Sequence, residues 1–231
     1  MKKILLFAVI MVAAFSINTL NAQVKGGFKI GVDLSNIRGE MPDGSTFKEA
    51  YDSKRLISPR LGFIIEVPVN DYLFFQAGLY GTLKGMRYND EIEIDNKWYD
   101  TKDYQLLIAV DFPINFGYKY DLGGAKIFGM AGPVISYNTY ATVLYKPEGK
   151  DWDNDKQSVG NTIFDDFKLL NFGVNIEGGV ELDRFQFSLF YTQGISNLSN
   201  NSIATITTNV FGLAAAIKFG KVDGKRGGFR R

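Results

Sequence analysis

The sequence has no cysteine and no histidine in its 231 residues. The first absence excludes disulfide frameworks, thiolate nucleophiles and thiolate metal sites. The second excludes Ser-His-Asp and Cys-His catalysis, HExxH zinc chemistry and ordinary imidazole ligation. Charge of either sign is also scarce as an excess, with 26 Lys and Arg against 25 Asp and Glu. Such a balance gives no electrostatic case for nucleic acid, so no nucleic-acid partner is expected. No Walker-type phosphate loop is present either, and no cofactor is expected. Only 6 residues are proline, whereas 25 are glycine and 45% are apolar, which is ample for a packed domain.

One apolar run stands out by its position. Lys2 and Lys3 precede an unbroken apolar stretch from Ile4 to Phe15, and polarity then rises through Ser16, Asn18, Thr19 and Asn21 to Ala22. This pattern predicts a secretory signal peptide over residues 1–22, cleaved between Ala22 and Gln23. The stretch is well short of the ~20 residues that a spanning helix needs. No later segment is long and apolar enough for such a helix. The expected organisation is a signal peptide (1–22), a barrel domain (23–219) and a basic tail (220–231) carrying Lys221, Lys225, Arg226, Arg230 and Arg231.

The remainder alternates with period two, the signature of strands rather than helices. Phe28, Ile30, Val32 and Leu34 oppose Lys29, Gly31, Asp33 and Ser35; Leu61, Phe63, Ile65 and Val67 oppose Arg60, Gly62, Ile64 and Glu66. Further runs begin at Leu73, Tyr104, Ile127, Leu170, Phe185 and Val210, making eight. They cover about 9 to 15 residues each, against ~5–6 for an average globular strand and ~9–11 for a tilted membrane strand. The face opposite the apolar one is rich in Gly, Ser, Gln, Asn and Thr with few charges, which suits a narrow lumen better than a solvated surface. A lipid-facing sheet must close on itself, because open edges leave N–H and C=O groups unpaired in hydrocarbon. The expected fold is therefore all-β: an eight-stranded antiparallel transmembrane barrel with apolar residues such as Phe63, Leu106 and Val174 facing lipid.

The connections alternate between short and long. Short joints are expected at Pro68–Asp71, Lys119–Lys126 and Asp183–Arg184, and long polar ones at Arg38–Ile57, Gly85–Asp103, Ala141–Phe167 and Gly194–Asn209. Outer-membrane barrels have short periplasmic turns and long outer loops, so both mature termini are expected in the periplasm. Tyr72, Tyr118 and Tyr120 near the short turns, with Tyr88, Trp98, Tyr104, Tyr137 and Tyr140 toward the long loops, are expected as interfacial girdles.

Several segments resemble PorT-type outer-membrane β-barrel domains. They are Gly27–Asn36, Phe63–Val69, Leu73–Tyr80, Lys126–Pro133 and Gly173–Glu181. The resemblance covers nearly all of the mature chain and implies a small barrel of the OmpX type, located in the outer membrane. Its motifs are architectural, so it implies no particular activity. The last strand ends on the aromatic Phe219, but the sequence then continues into the basic tail, whereas many barrels end on such a residue.

The candidate chemistry is sparse. Arg60, Glu66, Lys84, Asp111, Glu177, Glu181 and Lys218 share the inward face and are expected to form a structural ion network in the lumen. Read alternatively as paired catalytic carboxylates, the acids lack the usual histidine base. Asp151, Asp153 and Asp155 alternate as in a calcium loop, but Lys156 and Thr162 stand where Gly and Glu are required, so a solvated acidic loop is expected and no metal site is assigned; the alternative is a loose outer-loop cation site with Asp165 and Asp166 as further ligands. The expected role is non-catalytic: structural, adhesive or accessory to secretion or transport, with outer-membrane lipid and an extracellular or envelope protein as partners. The alternative is a soluble lipocalin-like barrel holding an apolar ligand, in which the apolar face turns inward.

Overall fold

In the computed structural model, residues 24–40, 45–46, 48–49, 52–94, 96–200 and 205–220 are described. The expected signal peptide and the tail beyond Gly220 lie outside them. Among the described residues, eleven strands follow in chain order. They are β1 (Lys25–Glu40), β2 (Lys54–Pro68), β3 (Leu73–Ile94), β4 (Lys97–Asp121), β5 (Lys126–Pro147) and β6 (Asp153–Gln157). After them come β7 (Val159–Gly160), β8 (Phe167–Lys168), β9 (Leu170–Leu182), β10 (Phe185–Gly194) and β11 (Thr205–Phe219).

Eight of these close into a ring. Each pairs antiparallel with its neighbours in the order β1-β2-β3-β4-β5-β9-β10-β11, and β11 returns to β1 through a ladder from Gly26↔Phe219 to Glu40↔Thr205. The short β6 continues the sheet beside the upper part of β5, from Ala141↔Gln157 to Tyr145↔Asp153. Closure removes free edges from the central belt, so the backbone groups there are paired.

Because successive Cβ atoms point to opposite sides of a strand, the period-two pattern becomes two concentric surfaces. Phe28, Ile30 and Val32 on β1, Phe63 and Ile65 on β2, and Phe187 and Leu189 on β10 are exposed on the outside. Phe63 and Val174 are exposed and Leu106 is half-buried, all on the outer surface. Lys29, Asp33, Arg60, Glu66 and Gln76 are buried inside. The lipocalin-like alternative needed the opposite orientation and is excluded by this one.

Three tight turns and both strand termini share one end. Residues 69–72 join β2 to β3, residues 122–125 join β4 to β5, and Asp183-Arg184 joins β9 to β10. Gly123 has φ +86° and Asp183 φ +54°, left-handed conformations suited to glycine and tolerated by aspartate.

The opposite end differs from the expected loops. Gly85–Asp103 is not a loop: β3 and β4 run on as a protruding hairpin, turning at Asn96, which has φ +60°. Charged residues such as Glu91 and Glu93 resemble loop composition, yet their pairing with Asp100 and Trp98 continues the ladder above the apolar belt. Similarly, β5 extends to Pro147 and pairs with β6, so much of the expected Ala141–Phe167 connection is strand. The eight long runs are correspondingly underestimated, since β3, β4 and β5 have 22, 25 and 22 residues. At the other end, β4 continues to Asp121, which takes Lys119 out of the turn.

Candidate functional site: the charged lumen and its lid

The lumen contains two charge clusters. Near the short turns, Glu66 from β2, Lys119 from β4, Glu181 from β9 and Lys218 from β11 form a closed ring. Lys119 Nζ lies 2.5 Å from Glu66 Oε1 and 2.6 Å from Glu181 Oε2. Lys218 Nζ lies 2.9 Å from Glu66 Oε2 and 2.6 Å from Glu181 Oε2. Gln76 donates to Glu66 at 3.2 Å and to Gln186 at 3.3 Å, tying β3 and β10 to the ring. Beneath it Phe74, Phe128 and Met130 pack together, with the Lys119 ammonium 4.3 Å from the Phe74 ring centroid.

Further up, Arg60 Nε donates to both carboxylate oxygens of Asp33, at 3.0 and 3.1 Å. Its guanidinium stacks 4.5 Å from the Phe190 centroid and 5.5 Å from that of Tyr80. Lys84 bridges Asp111 at 2.7 Å and Ser136 at 2.8 Å, and Lys29 pairs with Glu177. In a low-dielectric interior each charge needs such a partner, because an isolated ion carries a large desolvation cost. Five cations (Lys29, Arg60, Lys84, Lys119, Lys218) meet five carboxylates (Asp33, Glu66, Asp111, Glu177, Glu181), so the paired charges of the lumen balance.

All seven residues expected on the inward face therefore lie in the lumen, divided between the two clusters. Glu66, Glu181 and Lys218 belong to the ring; Arg60, Lys84, Asp111 and Glu177 belong to the upper cluster. Lys29, Asp33 and Lys119 complete the pairs. Lys119 escapes a reading that ends β4 early, although it follows Asn115 and Gly117 in strict alternation. A void of about 10 Å³ among Lys29, Arg60, Tyr80, Asn175 and Glu177 has room for about one water.

An apolar lid closes the long-loop end. Leu107 of β4 and Ala141 of β5 are fully buried beneath Phe167 and Leu198, which come from two different connections. Those connections are knitted together by Lys168 N–H donating to Leu198 O at 2.7 Å, Leu198 N–H to Ile206 O at 2.7 Å, and Asn200 Nδ2 to Gly160 O at 2.9 Å. Asn138 Nδ2 donates to Lys168 O and anchors the lid to β5.

The acidic outer segment divides among separate partners. Asp153 lies on β6 and accepts from Tyr145 Oη at 3.1 Å, Asp166 accepts from Ser158 Oγ at 2.9 Å, and Asp165 accepts from Thr162 Oγ1 at 2.6 Å. Those Thr162 hydrogen bonds, from the side chain first and the backbone second, hold the Asp165 carboxyl below the usual aspartate range. Among the described residues no group of three or more carboxylates is placed to hold a metal.

A family model described as the outer membrane protein beta-barrel domain matches residues 13–200. The chain belongs to that family. The match stops before β11, yet β11 is the strand that joins β10 to β1 and completes the ring. No curated protein matches the sequence. Solved structures similar in overall shape include Ail, the attachment invasion locus protein of Yersinia pestis, crystallised with the heparin analogue sucrose octasulfate. It is 10% identical with a TM-score of 0.39, over 85% of this chain and 99% of that one. Neisserial surface protein A is 13% identical with a TM-score of 0.35, over 83% and 97%. The N-terminal barrel domain of Pseudomonas aeruginosa OprF is 9% identical with a TM-score of 0.33, over 84% and 99%.

As an outer membrane β-barrel, the chain meets membrane lipid with its exposed apolar belt. Tyr72, Tyr118 and Tyr120 are exposed at the short-turn end, and the first two rings stack at 5.8 Å. Tyr104, Tyr137 and Tyr140 lie on the outward face toward the other end. Two expected girdle residues are placed differently. Tyr88 pairs with Asp103 on the inward side, and Trp98 sits at the hairpin tip, beyond the belt.

Proposed function

We propose that this outer membrane barrel is a non-catalytic, PorT-like envelope protein whose long-loop rim faces outward and does the interactive work. In this reading residues 1–22 are removed on export, residues 23–219 form the barrel and the basic tail from Gly220 stays in the periplasm. The ten charged lumen residues act structurally, fixing strand register and filling the interior. One observation carries the reading: the lumen is packed with paired charges and capped by Leu107, Ala141, Phe167 and Leu198. A filled lumen has no room for cargo or substrate, so recognition falls to the rim, through an extracellular or envelope protein partner. The asymmetry of the two ends, tight turns opposite long connections, supports the orientation.

The absence of native cysteine allows a clean test. Trp152→Cys on intact cells should react with a membrane-impermeant maleimide, whereas Asp71→Cys should react only after the outer membrane is opened. The wild-type protein should leave the membrane fraction only with detergent. Labelling of Asp71→Cys on intact cells would invert the orientation and remove the proposed role of the rim.

A further inference from the structure

The outward face of β3 to β6 changes character in steps as it rises from the apolar belt. Cross-strand pairing defines the rows. Leu83, Ile108 and Tyr140 form the last apolar row; Leu106, Thr142 and Lys156 lie above it. Arg87, Tyr104, Leu144 and Asn154 follow, then Asn89, Lys102 and Lys146. Above these come the acids, Glu91 beside Asp100, with Glu148 donating its N–H to Asp100 O. Thus Arg87, Lys102, Lys146 and Lys156 occupy three successive rows that contain no carboxylate.

Two features make this band unusual. Lys102 and Lys146 are direct cross-strand partners, and Arg87 is the direct partner of Lys54, which is itself held by Asp52 at 3.1 Å. Like charges directly opposite each other destabilise a sheet. In the lumen every cation is paired with an acid, but among the described residues Arg87, Lys102, Lys146 and Lys156 form no ion pair. Their neighbours are aromatic instead: Lys146 lies 5.7 Å from the Trp152 ring centroid, Lys156 lies 5.7 Å from that of Tyr140, and Trp152 packs on Tyr104 at 5.7 Å.

We propose that this outward face binds the phosphate of an anionic lipid headgroup, held by Arg87, Lys102, Lys146 and Lys156. Continuity with the apolar belt selects a lipid over a soluble anion, because acyl chains would lie against Leu83, Ile108 and Leu106 while the phosphate meets the cations. A phosphate between Lys102 and Lys146 relieves their repulsion and accepts hydrogen bonds from both. The acids Glu91, Asp100 and Glu148 repel an anion placed higher and so fix its depth. The inference rests on the barrel lying in a bilayer but not on which rim faces outward.

The test uses the full chain in bilayer discs of phosphatidylcholine containing a minor fraction of phosphatidic acid. Lipids that co-purify with the barrel are counted by mass spectrometry. Phosphatidic acid should be enriched over its bulk fraction, and Lys102→Gln with Lys146→Gln should reduce the preference by about fivefold per cation removed. Lys102→Arg with Lys146→Arg should retain it. Lys97→Gln with Lys150→Gln, at the hairpin tip and beyond Pro147, should leave it unchanged. Resistance of the unheated barrel to SDS checks that each variant is folded. Absence of enrichment, or equal loss in the Lys97 and Lys150 control, would overturn the proposal. So would displacement of the lipid by inorganic phosphate at comparable affinity, which would make the band a soluble-anion site. Discs expose both rims, so a negative result here is distinguishable from a reversed orientation in the labelling experiment.

Discussion

The two ends of the lumen are closed by different chemistries. At the short-turn end a charge ring of Glu66, Lys119, Glu181 and Lys218, all on long strands, lies over an apolar layer of Phe74, Phe128 and Met130. At the long-loop end the closure is apolar, made by Leu107 and Ala141 on strands and by Phe167 and Leu198 from connecting segments. The difference teaches where each kind of contact can be built. A buried ion pair needs donors and acceptors held to within a fraction of an ångström, and hydrogen-bonded strands provide that rigidity. Loop side chains closing over a mouth need only exclude water, which non-directional apolar burial achieves.

Breaking the charge ring should have the largest effect. Glu181→Ala leaves Lys119 and Lys218 sharing one carboxylate, and a buried ion stripped of its partner costs about 3–5 kcal/mol. Urea unfolding of the reconstituted barrel should show this as a lower midpoint for the whole transition. A loss under about 1 kcal/mol would mean that water screens the ring.

The lid should respond more weakly and locally. Leu198→Ala should cost about 2 kcal/mol, the low end for a buried leucine, since loops relax around the vacancy more easily than strands. Limited proteolysis should then cut within residues 158–169 or 195–200 sooner, with the urea midpoint of the barrel unchanged. A joint shift of both readouts would show that the lid and barrel unfold together.

A paired replacement sharpens the comparison further. Lys218→Met with Glu181→Leu removes one cation and one anion from the ring and leaves Lys119 with Glu66. Replacing buried pairs by apolar groups of similar volume is often neutral or stabilising, so the double variant should be roughly as stable as the wild type and clearly better than Glu181→Ala. Equal damage in both would mean that the ring acts through geometry rather than charge balance.

The smallest effect concerns the outer loop beyond the lid. The Asp165 carboxyl, bonded to Thr162, titrates below its unfolded value, so its contribution to loop order is complete above the ordinary aspartate range. That contribution disappears as pH falls through the lowered value. The protection factor of the Thr162 amide, taken against its intrinsic exchange rate at each pH, should fall over this acidic window, and Asp165→Asn should abolish the dependence.

Much of the inward face was legible from residue order alone. Arg60, Glu66, Lys84, Asp111, Glu177, Glu181 and Lys218 fall at alternate positions within apolar runs, and alternation assigns a side without any knowledge of partners. Lys119 was obscured because Tyr118-Lys119-Tyr120 resembles an interfacial turn. Glu91 to Glu93 resemble a loop because charge density, rather than the alternation beneath it, dominates that stretch. The lid was not legible at all. Phe167 and Leu198 lie 31 positions apart in connecting segments, and nothing in either segment names the other.

Residue order by itself determined which side chains face out and which face in, because the pleat of a strand sends neighbours to opposite sides. It also determined that the strands must close, because an apolar face this continuous cannot leave its backbone edge unpaired in hydrocarbon. Only the tertiary structure decided that Glu66 meets Lys119 and Lys218 rather than Lys29, and that two remote loop residues cover one mouth. Those choices depend on stagger between strands distant in sequence, which ring closure sets for all eight at once.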